Sequence, residues 1–163
     1  MRRKMIIAFS AACIAFMTAG AGAMDDVVLT VSGEGMEGLT LTEDDVRALP
    51  PVSFTTFDPW DNMDRSYTGV RMLDLLAALE LGREVELVEV IARNDYRAKI
   101  TLKEMADYGH ILSYSMDGKD YELLLEEDKG PLAVAVDMSL VAEEDQLRVK
   151  GQLVWWVEQI VLY

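Results

Sequence analysis

The residues best suited to chemistry in this sequence are aromatic rings that alternate with carboxylates and amides. Phe57, Trp60 and Tyr67 surround one polar stretch, Tyr96 follows a predicted turn, and a Trp155-Trp156 pair lies near the C-terminus. Aromatic rings stack on the faces of a flat heterocycle, while carboxylate and amide groups pair with its edge. The combination therefore favours a binding site for a flat ring.

The polar partners and the tryptophan pair complete this candidate site. Asp61, Asn94 and Asp95 are the carboxylates and the amide closest in sequence to the rings. If Trp155 and Trp156 open the last strand, their side chains point to opposite faces, one into the core and one towards a ligand or an edge. We assign the ligand-facing position to Trp156.

Three other motifs support no site of their own. The segment 33–38 fits the pattern G-x-G-x-x-G, but no long helix follows it and two glutamates would repel a phosphate, so a hairpin turn is the better interpretation. Asp58, Asp61 and Asp64 are spaced by three, whereas a calcium loop needs alternate positions and a terminal Glu. His110 is the only histidine, so we predict a structural role for it.

The N-terminal 23 residues have the pattern of a secretory signal peptide. Arg2, Arg3 and Lys4 precede an apolar stretch from 5 to about 17, and Ala21 and Ala23 supply the small residues of a cleavage site. A retained signal anchor is the main alternative. The only cysteine is Cys13, in a poor match to a lipoprotein signal, so cleavage would leave a mature protein without a thiol.

Length and charge limit the remaining function classes. Cleavage removes three basic residues and no acidic one, which lowers the net charge from −14 to −17 and leaves residues 24–163 as one domain. Such a chain does not bind nucleic acid or acidic lipid through its overall field. We predict a periplasmic protein without membrane insertion, whose fold no disulfide holds together.

Short strands dominate the expected structure. The strand candidates are 27–31, 39–41, 52–57, 85–92, 98–102, 110–116, 121–125, 132–136 and 153–162. Helices are predicted at 42–49 with Thr42 as N-cap, at 70–81 ended by Gly82, and at 103–108. The segments 33–38 and 117–118 are predicted turns, and 58–66 is predicted to be a polar loop. The fold class is therefore α+β, mostly β.

Five segments in order resemble motifs of the sulfite-oxidase-like domain, the fold of molybdopterin-dependent oxidoreductases. They are YTGVRMLDLL at 67–76, VEVIARNDY at 88–96, the hairpin at 111–121 with Asp117-Gly118, KGPL at 129–132 and LVWWVEQI at 153–160. The resemblance covers most of residues 27–162. It implies a sulfite-oxidase-like, molybdopterin-binding fold in a single domain.

The same resemblance implies that the metal site of those enzymes is missing. In them a cysteine thiolate upstream of the Gly-Val helix binds molybdenum, whereas the corresponding stretch 53–66 contains no cysteine and Phe57 lies near the expected place. Soft thiolate ligation is what this metal site depends on. We therefore expect no metal site, no covalently bound cofactor, no catalytic residues and no enzymatic activity.

The segment from Phe57 to Trp60, with Tyr67 and Gly69, is similar to small periplasmic pterin-binding proteins that lack this cysteine. These proteins are associated with membrane-bound cyclic-di-GMP synthases or phosphodiesterases. The resemblance implies a periplasmic protein that senses a pterin and regulates the periplasmic domain of such a signalling partner. The predicted pterin-binding residues are Phe57, Trp60, Asp61, Tyr67, Asn94, Asp95, Tyr96 and Trp156.

The chemistry of a pterin fits these residues. Its 2-amino and N3–H donors match a carboxylate such as Asp61 or Asp95, and its face would stack on aromatic rings such as Trp60. Two alternatives stay open. One is a ligand-free interaction domain of the same fold, and the other is a molybdopterin-dependent oxidoreductase without the usual cysteine.

Overall fold

A computed structural model describes residues 27–81, 84–121 and 129–163. The strands are β1 (Val27–Gly33), β2 (Leu39–Thr42), β3 (Pro51–Asp58), β4 (Met63–Arg71), β5 (Leu87–Ala92), β6 (Arg97–Thr101), β7 (Ile111–Met116), β8 (Lys119–Asp120), β9 (Ala133–Ala135) and β10 (Val157–Leu162). The helices are α1 (Glu43–Arg47), α2 (Met72–Ala78), α3 (Leu102–Tyr108) and α4 (Gln146–Lys150). Short 3₁₀ turns occupy Met138–Leu140 and Glu143–Asp145.

The strands form two sheets around one main core. The first sheet has the order β2-β1-β10-β5-β6, in which β1 and β10 are parallel and all other pairs are antiparallel. The second has the order β3-β4-β7-β8, and β9 also pairs with β7. Buried apolar side chains from both sheets and from the first three helices pack together. The predicted α+β, mostly β architecture is confirmed.

Local sequence signals placed several elements correctly. Thr42 caps α1 in a capping box with Asp45, and Thr101 does the same for α3 with Glu104. The Gly-rich segment 33–38 is a turn that pairs β1 with β2, with Gly35 at a φ of 74°. Asp117 and Gly118 both have positive φ, as a tight hairpin turn requires.

The predicted polar loop at 58–66 is wrong, because most of it is strand. β3 continues to Asp58 and β4 begins at Met63, so only residues 59–62 form the turn. The turn closes through Asn62, which has a φ of 55° and donates its N–H to the carbonyl of Asp58. The polar side chains of β4 were interpreted as a loop. They are polar because one face of an exposed hairpin is in contact with solvent.

Other element boundaries differ as well. Residues 70 and 71 belong to β4, so the predicted helix at 70–81 begins at Met72 and ends at Ala78, and its predicted end at Gly82 lies outside the described residues. The predicted strand at 153–162 begins only at Val157. Helical turns between 138 and 150 were not predicted at all.

Two further predictions fall largely outside the described residues. Of the predicted strand 121–125, the structure describes only Tyr121, and the signal peptide at 1–23 is not among the described residues. Within the described part of the chain, no helix has the length and apolar character needed to cross a membrane.

Gly69 permits the close contact between β4 and β7. A Cβ atom at this position would lie 2.2 Å from the carbonyl oxygen of Leu112 and 2.5 Å from the Cα of Ser113. Both obstacles are backbone atoms, which cannot move aside as a flexible side chain can. The two strands therefore approach this closely only because residue 69 has no side chain.

We expect Gly69→Ala to destabilise the fold by about 3 kcal/mol, the upper end of the usual range for overpacking, because the added methyl forces the two strands apart. Urea unfolding followed by circular dichroism measures this. Gly38→Ala is the matched control, since the nearest atom to its added Cβ is 4.0 Å away. Equal stability of the two variants would contradict the close contact.

His110 is buried, and its ring nitrogen Nε2 forms a hydrogen bond of 3.0 Å with Gln152 Oε1. The amide oxygen of Gln152 can only accept, so Nε2 carries the proton of the neutral ring. Nδ1 is buried with no hydrogen-bond partner among the described residues, so a second proton there would create a buried positive charge without compensation. Burial lowers the pKa of His110 from 6.5 to about 4, against a smaller opposing effect of the Gln152 hydrogen bond.

We expect this histidine to make the fold sensitive to mild acid. As the pH falls, the unfolded state binds the histidine proton before the folded state does. The contribution of neutral His110 to the free energy of unfolding is therefore complete above pH 6.5 and is lost as the pH falls towards about 4. The loss should reach about 2 kcal/mol by pH 5. The single histidine NMR signal should not titrate above pH 5 in the folded protein, and His110→Gln should flatten the dependence of stability on pH in this range.

Candidate functional site

A buried ion pair joins the β3–β4 hairpin to the segment that precedes β9. Lys129 Nζ lies 2.5 Å from Asp58 Oδ2, and both side chains are only 4% exposed. The ammonium also contacts Asp61 Oδ2 at 3.0 Å. Buried charges persist when each has a partner, and these two also have further hydrogen bonds. The ion pair therefore fixes the position of the hairpin relative to residue 129.

Tyr67 completes this buried cluster. Its hydroxyl donates to Asp58 Oδ2 and accepts from Lys129 Nζ at 2.9 Å. Burial, followed by the Asp58 carboxylate, raises the pKa of Tyr67 far above its ordinary value, so the phenol keeps its proton. Burial alone would raise the pKa of Asp58, but hydrogen bonds from Lys129, Tyr67 and two backbone N–H groups outweigh it and lower the pKa.

Asp58 also shapes the turn that carries Trp60. Its second carboxylate oxygen, Oδ1, accepts from the backbone N–H of Trp60 at 2.7 Å and of Asp61 at 3.1 Å. One side chain thus binds the ammonium with one oxygen and caps the turn with the other. The indole of Trp60, which is half exposed, is held at the tip of the hairpin by this arrangement.

All three tryptophans of the chain line one groove. It has a volume of about 180 Å³ and is lined by Trp60, Asn94, Tyr96, Leu153, Trp155 and Trp156. The rings of Trp60 and Trp155 meet at 76° with centroids 6.4 Å apart, and those of Trp155 and Trp156 meet at 86° with centroids 6.2 Å apart. Edge-to-face contacts of this kind are a favoured geometry for aromatic pairs. We call this site the tryptophan groove.

The backbone of Trp156 has an uncommon conformation. Its φ of 52° lies in the left-handed region, which is unfavourable for a bulky side chain. Two hydrogen bonds hold it there, from its N–H to the carbonyl of Lys129 at 2.8 Å and from the N–H of Arg93 to its carbonyl at 2.9 Å. Strain of this kind is concentrated at functional sites.

The opposite side of the tryptophan groove is the turn between β5 and β6. Asn94 Oδ1 accepts from the N–H of Tyr96 at 3.2 Å, which shapes the turn. The hydroxyl of Tyr96 donates to the carbonyl of Gly151 at 2.7 Å, which ties this turn to the end of α4. The Tyr96 ring, 44% exposed, is therefore held at both ends while its face stays accessible.

Two lysine ammonium groups lie over the indole rings. Lys150 Nζ is 4.3 Å from the ring centroid of Trp60, and Lys129 Nζ is 4.7 Å from that of Trp155. These are cation–π distances, and tryptophan is the best partner for such contacts. Lys129 thus positions both neighbouring tryptophans, Trp155 through its ammonium and Trp156 through its backbone carbonyl.

The structure brings half of the predicted site residues together. Trp60, Asn94, Tyr96 and Trp156 line the tryptophan groove. The other four do not line it. Phe57 is half exposed and lies beside a neighbouring small cavity, Tyr67 is buried against Lys129, Asp61 binds Arg65 and Lys129, and Asp95 occupies the exposed turn at a φ of 64°.

The expectation that the two adjacent tryptophans alternate in a strand is wrong. Both precede β10, both are partly exposed, and both line the groove, because the left-handed backbone at Trp156 interrupts the alternation. The sequence analysis therefore missed Trp155. It also missed Asp58 and Lys129 as a pair. Their only signal was a lysine at the start of the KGPL motif and an aspartate at the end of a strand.

The donor groups at the site do not fit a molybdenum centre. The only cysteine is Cys13, and across 27–81, 84–121 and 129–163 no three His, Cys, Asp or Glu side chains are arranged to hold a metal ion. The carboxylates of Asp58 and Asp61, on the hairpin that carries Trp60, already bind the Lys129 ammonium. A soft metal that relies on thiolate finds no matching ligand set in them.

Comparison with known proteins identifies the fold. No protein-family model matches the sequence, and no curated protein matches it. The structure is similar to the crystal structure of the sulfane dehydrogenase SoxCD from Paracoccus pantotrophus, with a TM-score of 0.62 and 16% sequence identity. The match covers 89% of this chain and 40% of that chain, so this chain spans less than half of the solved protein. The chain has the sulfite-oxidase-like fold that its motifs predicted.

We expect Lys129→Met to destabilise the protein by about 3–5 kcal/mol, because it leaves the Asp58 carboxylate buried without its ammonium. Urea unfolding measures the change. Lys103→Met is the matched control, since the Lys103 side chain is 82% exposed where it pairs with Asp107, and it should cost less than about 1 kcal/mol.

The double variant Asp58→Asn, Lys129→Met separates the buried charge from the loss of packing. It should recover part of the lost stability, since no unpaired carboxylate is then buried. A Lys129→Met protein as stable as the Lys103→Met control would contradict the role of the ion pair.

Proposed function

We propose that this protein is a non-catalytic, periplasmic pterin-binding domain that senses its ligand and regulates a membrane-bound signalling partner, such as a cyclic-di-GMP synthase or phosphodiesterase. The observation that carries the proposal is the convergence of three tryptophans and Tyr96 on one groove. Rings in this arrangement offer both faces and edges to a flat heterocycle.

The size of the tryptophan groove supports a small ligand. Sites for drug-sized molecules have volumes of about 300–1,000 Å³. The groove has about 180 Å³, which suits one fused ring system. The strained backbone of Trp156 supports the same proposal, because a ring fixed before binding loses less conformational freedom when the ligand arrives.

In this proposal the edge of the pterin ring forms hydrogen bonds with an amide side chain rather than with a carboxylate. Asn94 lines the groove, whereas Asp61 and Asp95 do not. Because Asn94 Oδ1 accepts from Tyr96, its Nδ2 donors are directed to other acceptors, such as the carbonyl and ring nitrogens of a pterin. This replaces the expected pairing of the pterin amino group with Asp61 or Asp95.

The proposed location and partner rest on the sequence. The signal-like segment 1–23 supports export, and the resemblance to periplasmic pterin-binding proteins supports a membrane-bound partner. The proposal that the protein is not an enzyme rests on a donor set that does not fit molybdenum, because fold alone does not determine activity.

One observation favours a second candidate, a ligand-free interaction domain. Trp60 and Tyr96 are 50% and 44% exposed, and both residue types are enriched in protein interfaces. In that case the tryptophan groove would receive a side chain of the partner instead of a small molecule.

Intrinsic fluorescence tests the proposal directly, since every tryptophan of the chain lines the groove. Titration with oxidised and reduced pterins should quench the emission in a saturable manner. Mass spectrometry of a denatured extract should identify any pterin that copurifies. Absence of both quenching and a rise in melting temperature would overturn pterin binding, and stoichiometric molybdenum in the purified protein would contradict the non-catalytic assignment.

We expect Trp60→Ala to weaken pterin binding about 10-fold or more, because one stacking partner is worth about 1–3 kcal/mol. Isothermal titration calorimetry measures the change. Phe57→Ala is the matched control, since Phe57 lies on the same hairpin with nearly the same exposure, 49% against 50%, but outside the groove. Equal losses in the two variants would contradict binding in the groove.

A further inference from the structure

The edge strands of the two sheets differ in how well they are protected against pairing with another chain. β2 has only four residues and a register shift in its pairing with β1, and β8 has two residues, both charged. β6 carries the exposed Arg97 and Lys99. In β9, the N–H of Val134 already donates to the carbonyl of Val154 at 2.8 Å. Shortness, irregular register, charge and coverage are the usual devices that keep an edge from pairing further.

β3 shows none of these devices along most of its length. It lies at the edge of the second sheet, has eight residues and pairs with β4 over eight consecutive positions without a register shift. Residues 51–57 contain no charged side chain, and the carboxylate of Asp58, which ends the strand, is buried against Lys129. Long, regular and uncharged edges of this kind are the ones that add a further strand.

The outer backbone of β3 is available over part of the strand. Among the residues that the structure describes, the backbone of 51–57 forms hydrogen bonds with no segment other than β4. Two features limit the available length. Pro51 has no N–H to donate, and the N–H of Met138 donates to Thr56 Oγ1 at 2.8 Å, which brings another segment to that end. The stretch 52–55 is therefore the part that can receive a partner strand.

The two faces of β3 differ in character. Ser53 and Thr55 are exposed, and their hydroxyls form hydrogen bonds with Thr68 at 2.8 Å and with Ser66 at 2.7 Å on β4. The side chains that alternate with them are apolar and pack against a buried cluster of the second sheet. A strand that extends this sheet must therefore present small polar side chains on one face and apolar ones on the other.

A second copy of β3 meets this requirement. When two identical strands pair antiparallel about a two-fold axis that lies between two copies of one residue, side chains of the same face are opposite each other. Hydroxyls then meet hydroxyls and apolar side chains meet apolar ones, which are favourable cross-strand pairs. A partner selected by charge would be basic, because the chain has a net charge of −14, but residues 51–57 offer it no carboxylate.

We propose that two copies of this protein associate through β3, paired antiparallel about a two-fold axis within 53–55, and form a closed dimer. Both copies use the same edge, so this contact leaves none for a third. The proposal goes beyond the proposed function and does not depend on it, because no residue that lines the tryptophan groove belongs to β3.

Repulsion between the two copies determines how strong the dimer is. Two strongly acidic chains repel each other, and a single pair of strands lies at the small end of interface sizes. We therefore expect a reversible dimer with a dissociation constant in the micromolar range. Because salt screens the repulsion and β3 brings no charge pair to the contact, the dimer should become stronger as the ionic strength rises. A contact made by ion pairs would become weaker.

Sedimentation equilibrium of the purified protein across the micromolar range, at low and high salt, measures the association. Thr55→Lys should weaken the dimer about 10-fold or more, because two lysines then lie close together across the two-fold axis. Ser66→Lys is the matched control, since Ser66 is exposed on the same face of the hairpin, adds the same charge and loses the same hydrogen bond, but lies on β4 instead of the edge. It should leave the dissociation constant nearly unchanged.

Disulfide formation tests the register in a Cys13→Ser background, in which each variant has one thiol. Residues directly opposite in an antiparallel pair have Cα atoms about 4.5–5.5 Å apart, which a disulfide can span. Ser53→Cys and Thr55→Cys, alone or mixed, should therefore form a disulfide-linked dimer in at least one combination. Thr68→Cys and Ser66→Cys, their hydrogen-bonded neighbours on β4, should not.

The results that would overturn the dimer are specific. A protein that stays monomeric throughout the micromolar range at both salt concentrations excludes pairing with a second copy. Equal weakening by Thr55→Lys and Ser66→Lys, or equal disulfide formation by the β3 and β4 cysteine variants, excludes β3 as the contact. A dimer that weakens as salt is added contradicts an uncharged interface. Melting followed by circular dichroism verifies that each variant is folded.

Discussion

The ion pair between Lys129 and Asp58 connects parts of the chain that are 71 residues apart. Burial makes either charge alone costly, so the two segments stay together while the protein is folded. The hairpin that ends in Trp60 is thereby fixed relative to residue 129, and residue 129 holds Trp155 and Trp156 through its ammonium and its carbonyl. The three indoles of the tryptophan groove therefore depend on one lysine that does not line the groove.

The likeness to a solved structure concerns the fold of this chain. The fold is shared with the sulfane dehydrogenase, but at 16% identity this likeness concerns the backbone and not the chemistry. In this chain the buried polar groups of Asp58, Tyr67 and Lys129 satisfy one another. They hold the hairpin and residue 129 together, and the side chains that line the tryptophan groove itself are mainly aromatic rings.

The sequence was most informative where structure depends on neighbouring residues. The capping box at Thr42 and the tight turn at Asp117-Gly118 are determined within a few positions, and both were predicted correctly. Four of the eight predicted site residues do share one groove. The ion pair and the left-handed backbone of Trp156 were not predictable, because each depends on contacts between segments far apart in sequence. The loop prediction at 58–66 failed for a related reason, since an exposed hairpin and an exposed loop have the same polar sequence pattern.

The parallel pairing of β1 with β10 has a consequence for the order in which the chain can fold during synthesis. In the first sheet β10 lies between β1 and β5, so it alone joins the pair β2-β1 to the pair β5-β6. β1, the first strand of the described residues, can pair with β10 only after residue 162 has been synthesised. Contacts this distant in sequence form slowly. A nascent chain would thus remain incompletely folded in this sheet until β10 has been synthesised, however early the strands before it are available.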